Sequence, residues 1–452
     1  MIRLYGSPEQ IGTTWGRVNK DIIVRDMADT YLRRAQEEGI SVKTLIERSA
    51  EFRRFALRNA PHWLEEIRAT ARAACMDEEL YLAFWDGQSR NRFLHADDPE
   101  CGRESHDGEI VDCTSYAVCR NHALHRAIMF HKTRDNVDRP QLAPMVESSV
   151  EGINKFIAVT DGSRIRCSMM INDKGLAGAG DYPAAGKKES STLQLPEAAP
   201  RHRGLMAGTI LRHIAERAAT APEALAIIQD VVEEGYYGGG AVGGSHWLFV
   251  DRDGVILEVC NNARHVVSQV HTGKAYASRF NQQAPIQRLR AAGMVDFAMF
   301  RGVSRQQPVL TERSIAGMTV EIDPDYPDLL TVAWIAMPAR TAAFPVFMGQ
   351  RRMPLVLVDG SAYAAGKGSA SRGCSWNSQQ ERWTEMEAQM HADKQKLVAR
   401  AKASLDAGCS LEGGVESLEH WSYEQAVRNM ESRREACAEA HGEAHGENQQ
   451  NR

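Results

Sequence analysis

The stretch Asp112-Cys113-Thr114-Ser115-Tyr116-Ala117-Val118, answered further on by His131-Lys132-Thr133-Arg134-Asp135-Asn136, decides how the rest of the chain is read. Ser115 to Cys119 and Arg126 to Lys132 are short strand-like runs on either side of Asn121-His122, so they predict a hairpin. A hairpin returns the end of its second strand to the start of its first. Cys113 then lies beside Lys132, Arg134 or Asp135. A thiol needs a nearby cation or base to act as a nucleophile at neutral pH, and a carboxylate at Asp135 can orient an amine. Two readings fit these residues: an activated cysteine, or a buried strand cysteine beside a salt bridge that closes the hairpin. Cys119 shares the face of Cys113 in an ideal strand and reads as core packing.

Upstream, residues 1–95 read as helical. Gly12 to Glu37 and Val42 to Asn59 carry apolar residues at helical spacing, and Pro61-His-Trp-Leu-Glu-Glu-Ile starts a further helix with proline in its first turn and two acids near its positive end. Asp77 to Trp85 fits a short helix. Residues 96–112 are polar and turn-rich and read as an exposed loop. Downstream, Phe156 to Thr160, Ser168 to Ile171 and Leu176 to Ala179 read as strands, and Gly208 to Ala218 and Pro222 to Glu233 as paired helices. Trp247 to Val250 and Val255 to Val259 form a hairpin about Asp251-Arg-Asp-Gly254, and residues 331–348 are strand-like. Gly235 to Gly244 matches neither the dinucleotide fingerprint nor the phosphate loop, so it reads as a turn. This order predicts an α+β fold, sheets with helices packed on them. Gly366 to Gly373 reads as a linker and 378–404 as a charged helix. The tail from Ala440 reads as frayed; its two histidines lack the partners a coordination sphere needs.

Composition excludes several classes. A formal net charge of -5 leaves no basic footprint for nucleic acid. No apolar run approaches the ~20 residues a membrane span needs, and the start lacks the pattern of a secretory signal, so a cytoplasmic protein is expected. Nine scattered cysteines without a Cys-x-x-Cys pair give no zinc or redox signature; no metal and no cofactor is expected.

Cys-Thr-Ser opening a strand, then a hairpin that ends in Lys132-Thr-Arg134-Asp135, resembles the cysteine branch of the N-terminal-nucleophile hydrolases. The relatives are the isopenicillin N acyltransferases (peptidase family C45), acid ceramidase-like amidases, bile-salt and penicillin V hydrolases, and the family C69 dipeptidases. Further pieces fall in the same order: Gly6-Ser-Pro-x-x-Ile-Gly12 and Pro61-x-x-Leu-Glu-Glu-Ile resemble the acyltransferase branch's helical pro-segment. Ile171-Asn172-Asp-Lys-Gly-Leu176 resembles a family hairpin, and His246 to Glu258 its strand–turn–strand element. The likeness spans residues 5–350.

The resemblance implies an αββα sandwich, two antiparallel sheets between helical layers. It implies a pro-segment over 1–112, a core over 113–360, a linker over 361–377 and a helical extension over 378–452. The chain would cut itself between Asp112 and Cys113, leaving Cys113 with a thiol and a free α-amine that titrates near ~7.7–8.0. Asp135 is implied to contact that amine and Asn281 to help form the oxyanion hole, a donor typically worth ~10²–10³ in rate. Lys132, Arg134, Asn172, Asp181 and Tyr182 are implied as substrate or oxyanion contacts, although the residues themselves favour a turn cap for Asn172. Lys132 stands where relatives carry arginine, and lysine cannot make the planar fork, so Lys132 or Arg134 takes that role. The implied partners are a small amide or acyl substrate and the chain's own cleaved pro-segment, with a second copy of the chain left open. The implied activity is amide hydrolysis or acyl transfer. A dipeptidase, or a non-catalytic descendant serving binding or assembly, is the alternative.

Overall fold

The computed structural model describes residues 1–86, 113–136, 141–160, 163–181, 205–237, 244–272, 275–278, 283–311, 313–358, 376–408 and 415–431, with isolated positions at 193, 195–196, 198, 361 and 364. Asp112, Tyr182 and Asn281 lie outside the described residues, as do the whole polar loop over 96–112, the linker over 366–373 and the tail from Ala440.

Two sheets face each other. The larger has the order β1 (Ile2–Gly6), β4 (Pro144–Ser148), β5 (Phe156–Val159), β6 (Met169–Asn172), β7 (Ala177–Asp181), β8 (Gly244–Val250), β9 (Ile256–Asn262), β10 (Val266–His271). The smaller runs β11 (Ala275–Ala277), β2 (Thr114–Val118), β3 (Ile128–Asp135), β12 (Ser314–Ile322), β13 (Val332–Ala336), β14 (Phe344–Phe347). All pairings are antiparallel except β1 with β4. Strand side chains alternate between faces, and here both faces are apolar. Ala117, Phe130, Ile157, Ile171, Leu248 and Met318 meet in the seam between the sheets. Their neighbours Phe156, Met170, Trp247 and Phe249 face one helical layer, and Tyr116, Met129 and Trp334 face the other. The result is the expected four-layer αββα sandwich.

The first helical layer holds α1 (Pro8–Val18), α2 (Lys20–Arg25), α3 (Arg33–Glu37), α4 (Val42–Arg48), α5 (Ala50–Asn59), α6 (Pro61–Ala73) and α7 (Glu78–Asp86), with α8 (Ala207–Arg217) and α9 (Ala221–Glu233). Glycine decides the contact between α1 and α6: a Cβ at Gly12 would lie 2.1 Å from the Glu66 carbonyl oxygen, and one at Gly16 2.4 Å from that of Thr70. A buried ion cluster fastens this layer. Arg212 on α8 forks onto both oxygens of Glu66 at 2.7 Å, and its Nε reaches Glu216 at 2.9 Å. Glu216 also accepts from the Trp63 indole at 2.8 Å and lies 3.0 Å from the His62 ring nitrogen. Burial raises the Glu216 carboxyl, but Arg212 and His62 outweigh it and hold it down at about 2.

The expectation that residues 1–95 are helical is corrected at its start. Leu4 is buried between outward Arg3 and Tyr5, and Ile2–Gly6 takes the edge position beside β4 as a strand. Gly6, at φ 106°, then turns the chain into a capping box in which Ser7 caps α1. The long helix expected over Gly12 to Glu37 is interrupted by a π-helical segment at Asp26–Leu32. The second helical layer is built from α10 (Ala284–Ala291), α11 (Phe297–Val303) and the long α14 (Trp376–Asp406), with a short helix at α12 (Pro327–Leu330); the short α13 (Leu355–Val358) instead accepts the Met1 amine at the Leu357 carbonyl. Glu387 of α14 is buried against Arg301, 3.0 Å from its Nε, and Arg305.

Candidate active site

Cys113 stands half-buried immediately ahead of β2. Because β2 is an interior strand, its head is held on both sides. Tyr116 pairs with Ala277 on β11, and Thr114 and Ser115 pair with Thr133 and Lys132 on β3. The Cys113 thiol lies 3.9 Å from the Asp135 carbonyl oxygen, and Lys132, opposite Ser115, is near enough for Cys113 to act on the titration of its ammonium.

Lys132 faces the seam on the side of Phe130, and its Nζ crosses to the other sheet. It donates to the Gly180 carbonyl at 3.0 Å and forms an ion pair with the Asp181 carboxylate. The second Asp181 oxygen accepts the Ser115 hydroxyl at 2.9 Å. Lys132 therefore links the thiol to the opposite sheet through a buried pair. Burial lowers its ammonium to about 8, against the fields of Cys113 and Asp135, which raise it. Asp135, at the end of β3, is buried, and its Oδ1 accepts the Ser314 hydroxyl from β12 at 2.6 Å. Burial pushes its carboxyl up to about 6, with the Ser314 bond and Lys132 acting in the other direction. Near neutral pH the thiol thus has an ammonium beside it and a carboxylate at the end of the paired strand.

Of the residues expected at the site, the structure brings Cys113, Lys132, Asp135 and Asp181 together. Both Asp181 carboxylate oxygens accept, one from Lys132 and the other from Ser115, so the side chain holds Lys132 in place. Arg134 donates to the Gln141 side chain at 2.9 Å, whereas Lys132 faces the seam. Asn172 is elsewhere, on the helix-facing side of β6. Its amide donates to the carbonyls of Ala215 and Ala218 at the end of α8, and its oxygen accepts from the backbone of Lys174 and Leu176. Every polar atom of Asn172 is used in tying a hairpin to a helix end.

Two contributors were missed. Ser115 is a ligand of Asp181, and its backbone N–H donates to Ser278 Oγ at 2.9 Å. Ser314 holds Asp135. Asp181 had a signal that was not used: it ends a strand whose seam-facing residues are Ala177 and Ala179, small enough for a long lysine to cross above them. Cys119 is buried, and burial raises its thiol pKa, which leaves it a poor nucleophile. Among the described residues no helix is long and apolar enough to cross a membrane.

Compared with known proteins, the sequence matches no family model, and no curated protein matches it either. Solved structures do align. An N-acylethanolamine-hydrolyzing acid amidase ortholog from Caenorhabditis elegans is 11% identical, with 48% of this chain and 94% of that one covered at a TM-score of 0.33. Penicillin V acylase from Agrobacterium tumefaciens is 12% identical, with 52% and 86% covered at 0.35. A variant of conjugated bile acid hydrolase from Clostridium perfringens is 9% identical, with 55% and 94% covered at 0.33.

Proposed function

We propose that this chain is a self-processing cysteine amidohydrolase of the N-terminal-nucleophile type, with Cys113 as nucleophile. The observation that carries the reading is the placement of the thiol at the head of an interior strand of an αββα sandwich, 3.9 Å from the backbone carbonyl of Asp135, with the buried Lys132 ammonium and the buried Asp135 carboxylate on the paired strand. Self-cleavage begins when Cys113 Sγ attacks the carbonyl carbon of Asp112. The C–N bond breaks, a thioester forms, and the thiol proton passes to the departing nitrogen. Water then hydrolyses the thioester, which frees the Asp112 carboxylate, the thiol and the Cys113 α-amine. In turnover that amine takes the thiol proton, the thiolate attacks a substrate amide, and the amine returns the proton to the leaving nitrogen. Water resolves the acyl-enzyme in hydrolysis; an acceptor amine resolves it in transfer.

Lys132 stabilises the thiolate, Asp181 and Ser115 hold Lys132, and Asp135 faces the new α-ammonium. Asn281 and Tyr182 are the proposed oxyanion and substrate contacts. The residues before the junction, 1–112, would remain as a bound partner: β1 is a strand of the larger sheet, and the Glu66–Arg212 fork is buried.

The test is a screen of N-acyl amino acids, short peptides and acyl-thioesters with wild type and Cys113→Ala, with hydroxylamine as an acceptor trap. Turnover that needs Cys113, and a trapped acyl hydroxamate, would support the reading. A chain that neither cuts nor turns over any of these substrates would mark a non-catalytic member of the fold.

A further inference from the structure

A second cluster of chemistry-bearing side chains lies in the seam between the sheets, on β8, β9 and β10. His246 and Cys260 are cross-strand partners, and His246 is also the partner of Asp181 on its other side. His246 Nε2 is 2.7 Å from Glu258 Oε1, and His271 Nε2 is 2.8 Å from Glu258 Oε2. The donor atoms of His246, Glu258 and Cys260 all fall within 4.8 Å of one another, and all three residues are buried. The His271 ring is fixed from behind by stacking on Tyr276, with centroids 3.7 Å apart.

We propose that His246, Glu258 and Cys260, with His271 on the outer carboxylate oxygen, form a buried binding site for one zinc-class divalent cation. Three observations support it. The donors are of the types that zinc takes, imidazole, thiolate and carboxylate, with the fourth position left to water. A set containing a thiolate and imidazoles selects zinc, or cobalt as its probe, over calcium and magnesium. The geometry needs little change, since tetrahedral zinc with bonds of about 2.0–2.3 Å separates its ligand atoms by roughly 3.3–3.8 Å, within the span the three already occupy. No spacing in the sequence signals this set, because its members come from three strands.

Binding replaces the Glu258–His246 hydrogen bond with two bonds to the metal. The Cys260 thiol proton, and the second ring proton of His246 where it carries one, leave to solvent, so affinity rises with pH. The cation would fasten the last three strands of the larger sheet next to Asp181, without contacting Cys113. This inference does not rest on the proposed hydrolase activity.

The test uses the full chain, stripped with a chelator and titrated with Zn²⁺ and, separately, Co²⁺. One equivalent of zinc per chain is expected by native mass spectrometry. Cobalt should give the visible bands of a four-coordinate ion and a thiolate charge-transfer band. Cys260→Ser should lose the charge-transfer band, whereas Cys113→Ala should keep it. His246→Gln should weaken binding more than tenfold, and His271→Gln by about tenfold or more, the usual effect of a supporting partner. X-ray absorption on zinc-loaded wild type covers the case in which variants fail to fold: one sulfur at about 2.3 Å among nitrogen and oxygen ligands is expected. The proposal is overturned if the stripped, folded protein takes up no stoichiometric cation, which leaves a histidine–carboxylate clamp only. A sulfur-free shell, or a cobalt–thiolate band that disappears with Cys113 rather than Cys260, overturns it as well.

Discussion

Lys132→Met separates what holds the site together from what drives chemistry in it. The lysine and Asp181 side chains are 1% and 2% exposed, and the ammonium also donates to the Gly180 carbonyl. Methionine fills much the same volume but leaves the Asp181 carboxylate buried beside a single hydroxyl donor, Ser115. Removing one partner of a buried pair typically costs about 3–5 kcal/mol, because the other charge stays behind uncompensated. Asp181→Asn should cost a similar amount by stranding the ammonium. Removing both charges relieves each single defect, so Lys132→Met/Asp181→Asn should be more stable than either single variant, with a coupling energy of about 3 kcal/mol in the double-mutant cycle. Guanidinium unfolding at constant slope reads all four corners. Rate should behave differently. An opposite charge at this range shifts a titrating group by about 1–3 units, so loss of the ammonium should reduce kcat/KM by about 10–1000-fold at neutral pH. The double variant should stay as slow as Lys132→Met. Additive stabilities would refute the buried pair. A double variant that recovered its rate would refute the role of Lys132 at the thiol and leave it a structural lysine.

Intact mass and Edman sequencing of purified protein should show cleavage before Cys113, with the new terminus reading Cys-Thr-Ser-Tyr and residues 1–112 co-purifying. Active protein carrying only the Met1 terminus would rule out self-cleavage. Cys113→Ala should abolish both processing and turnover, whereas Cys119→Ala, in a buried thiol of raised pKa, should keep most activity; equal losses would point to a structural role for both. The kcat/KM profile should rise as Asp135 ionises through about 6 and fall as Lys132 deprotonates through about 8. Asp135→Asn should abolish the acid limb and most of the turnover, and Lys132→Arg should move the basic limb upward, since a guanidinium stays charged. A basic limb that does not move would show that it does not come from Lys132. Glu216 is held below its ordinary value in the fold, so the stability it contributes is full above about pH 4.5 and is lost as pH falls toward about 2. Processed protein should therefore hold its two fragments together on size exclusion at pH 7 and release them in acid. Fragments that separate at pH 7 would contradict the buried fork at Arg212.

The layers were legible because their signals are local. Pro61 and Pro222 sit in first helical turns, the hairpin about Asp251-Arg-Asp-Gly254 joins two β-rich runs, and both are found where the pattern puts them. What was missed depends on a partner distant in sequence. Ile2–Gly6 is too short to declare itself and is a strand only because β4 offers it an edge. β4 itself is five residues of which three are buried, and β12 became readable only through its pairing with β3 and β13.

The site divides along the same line, and the division explains why lysine suits position 132. The thiol, the lysine and Asp135 share one hairpin, so register alone brings them together. Asp181 belongs to the other sheet, and no spacing links it to Lys132. The two meet because both project into the seam where the sheets face each other. A side chain that must cross from one sheet to a carbonyl and a carboxylate on the next, while keeping a donor for a thiol, needs a long stem and three donors at one point. The ammonium supplies that, whereas a guanidinium spreads its donors over a rigid plane. Lys132 is therefore the residue whose replacement reports on both halves of the sandwich. A Lys132→Arg chain that retained full rate would show that a planar cation also fits the Gly180–Asp181 corner and that the seam is wider there than the 3.0 Å contact to Gly180 implies.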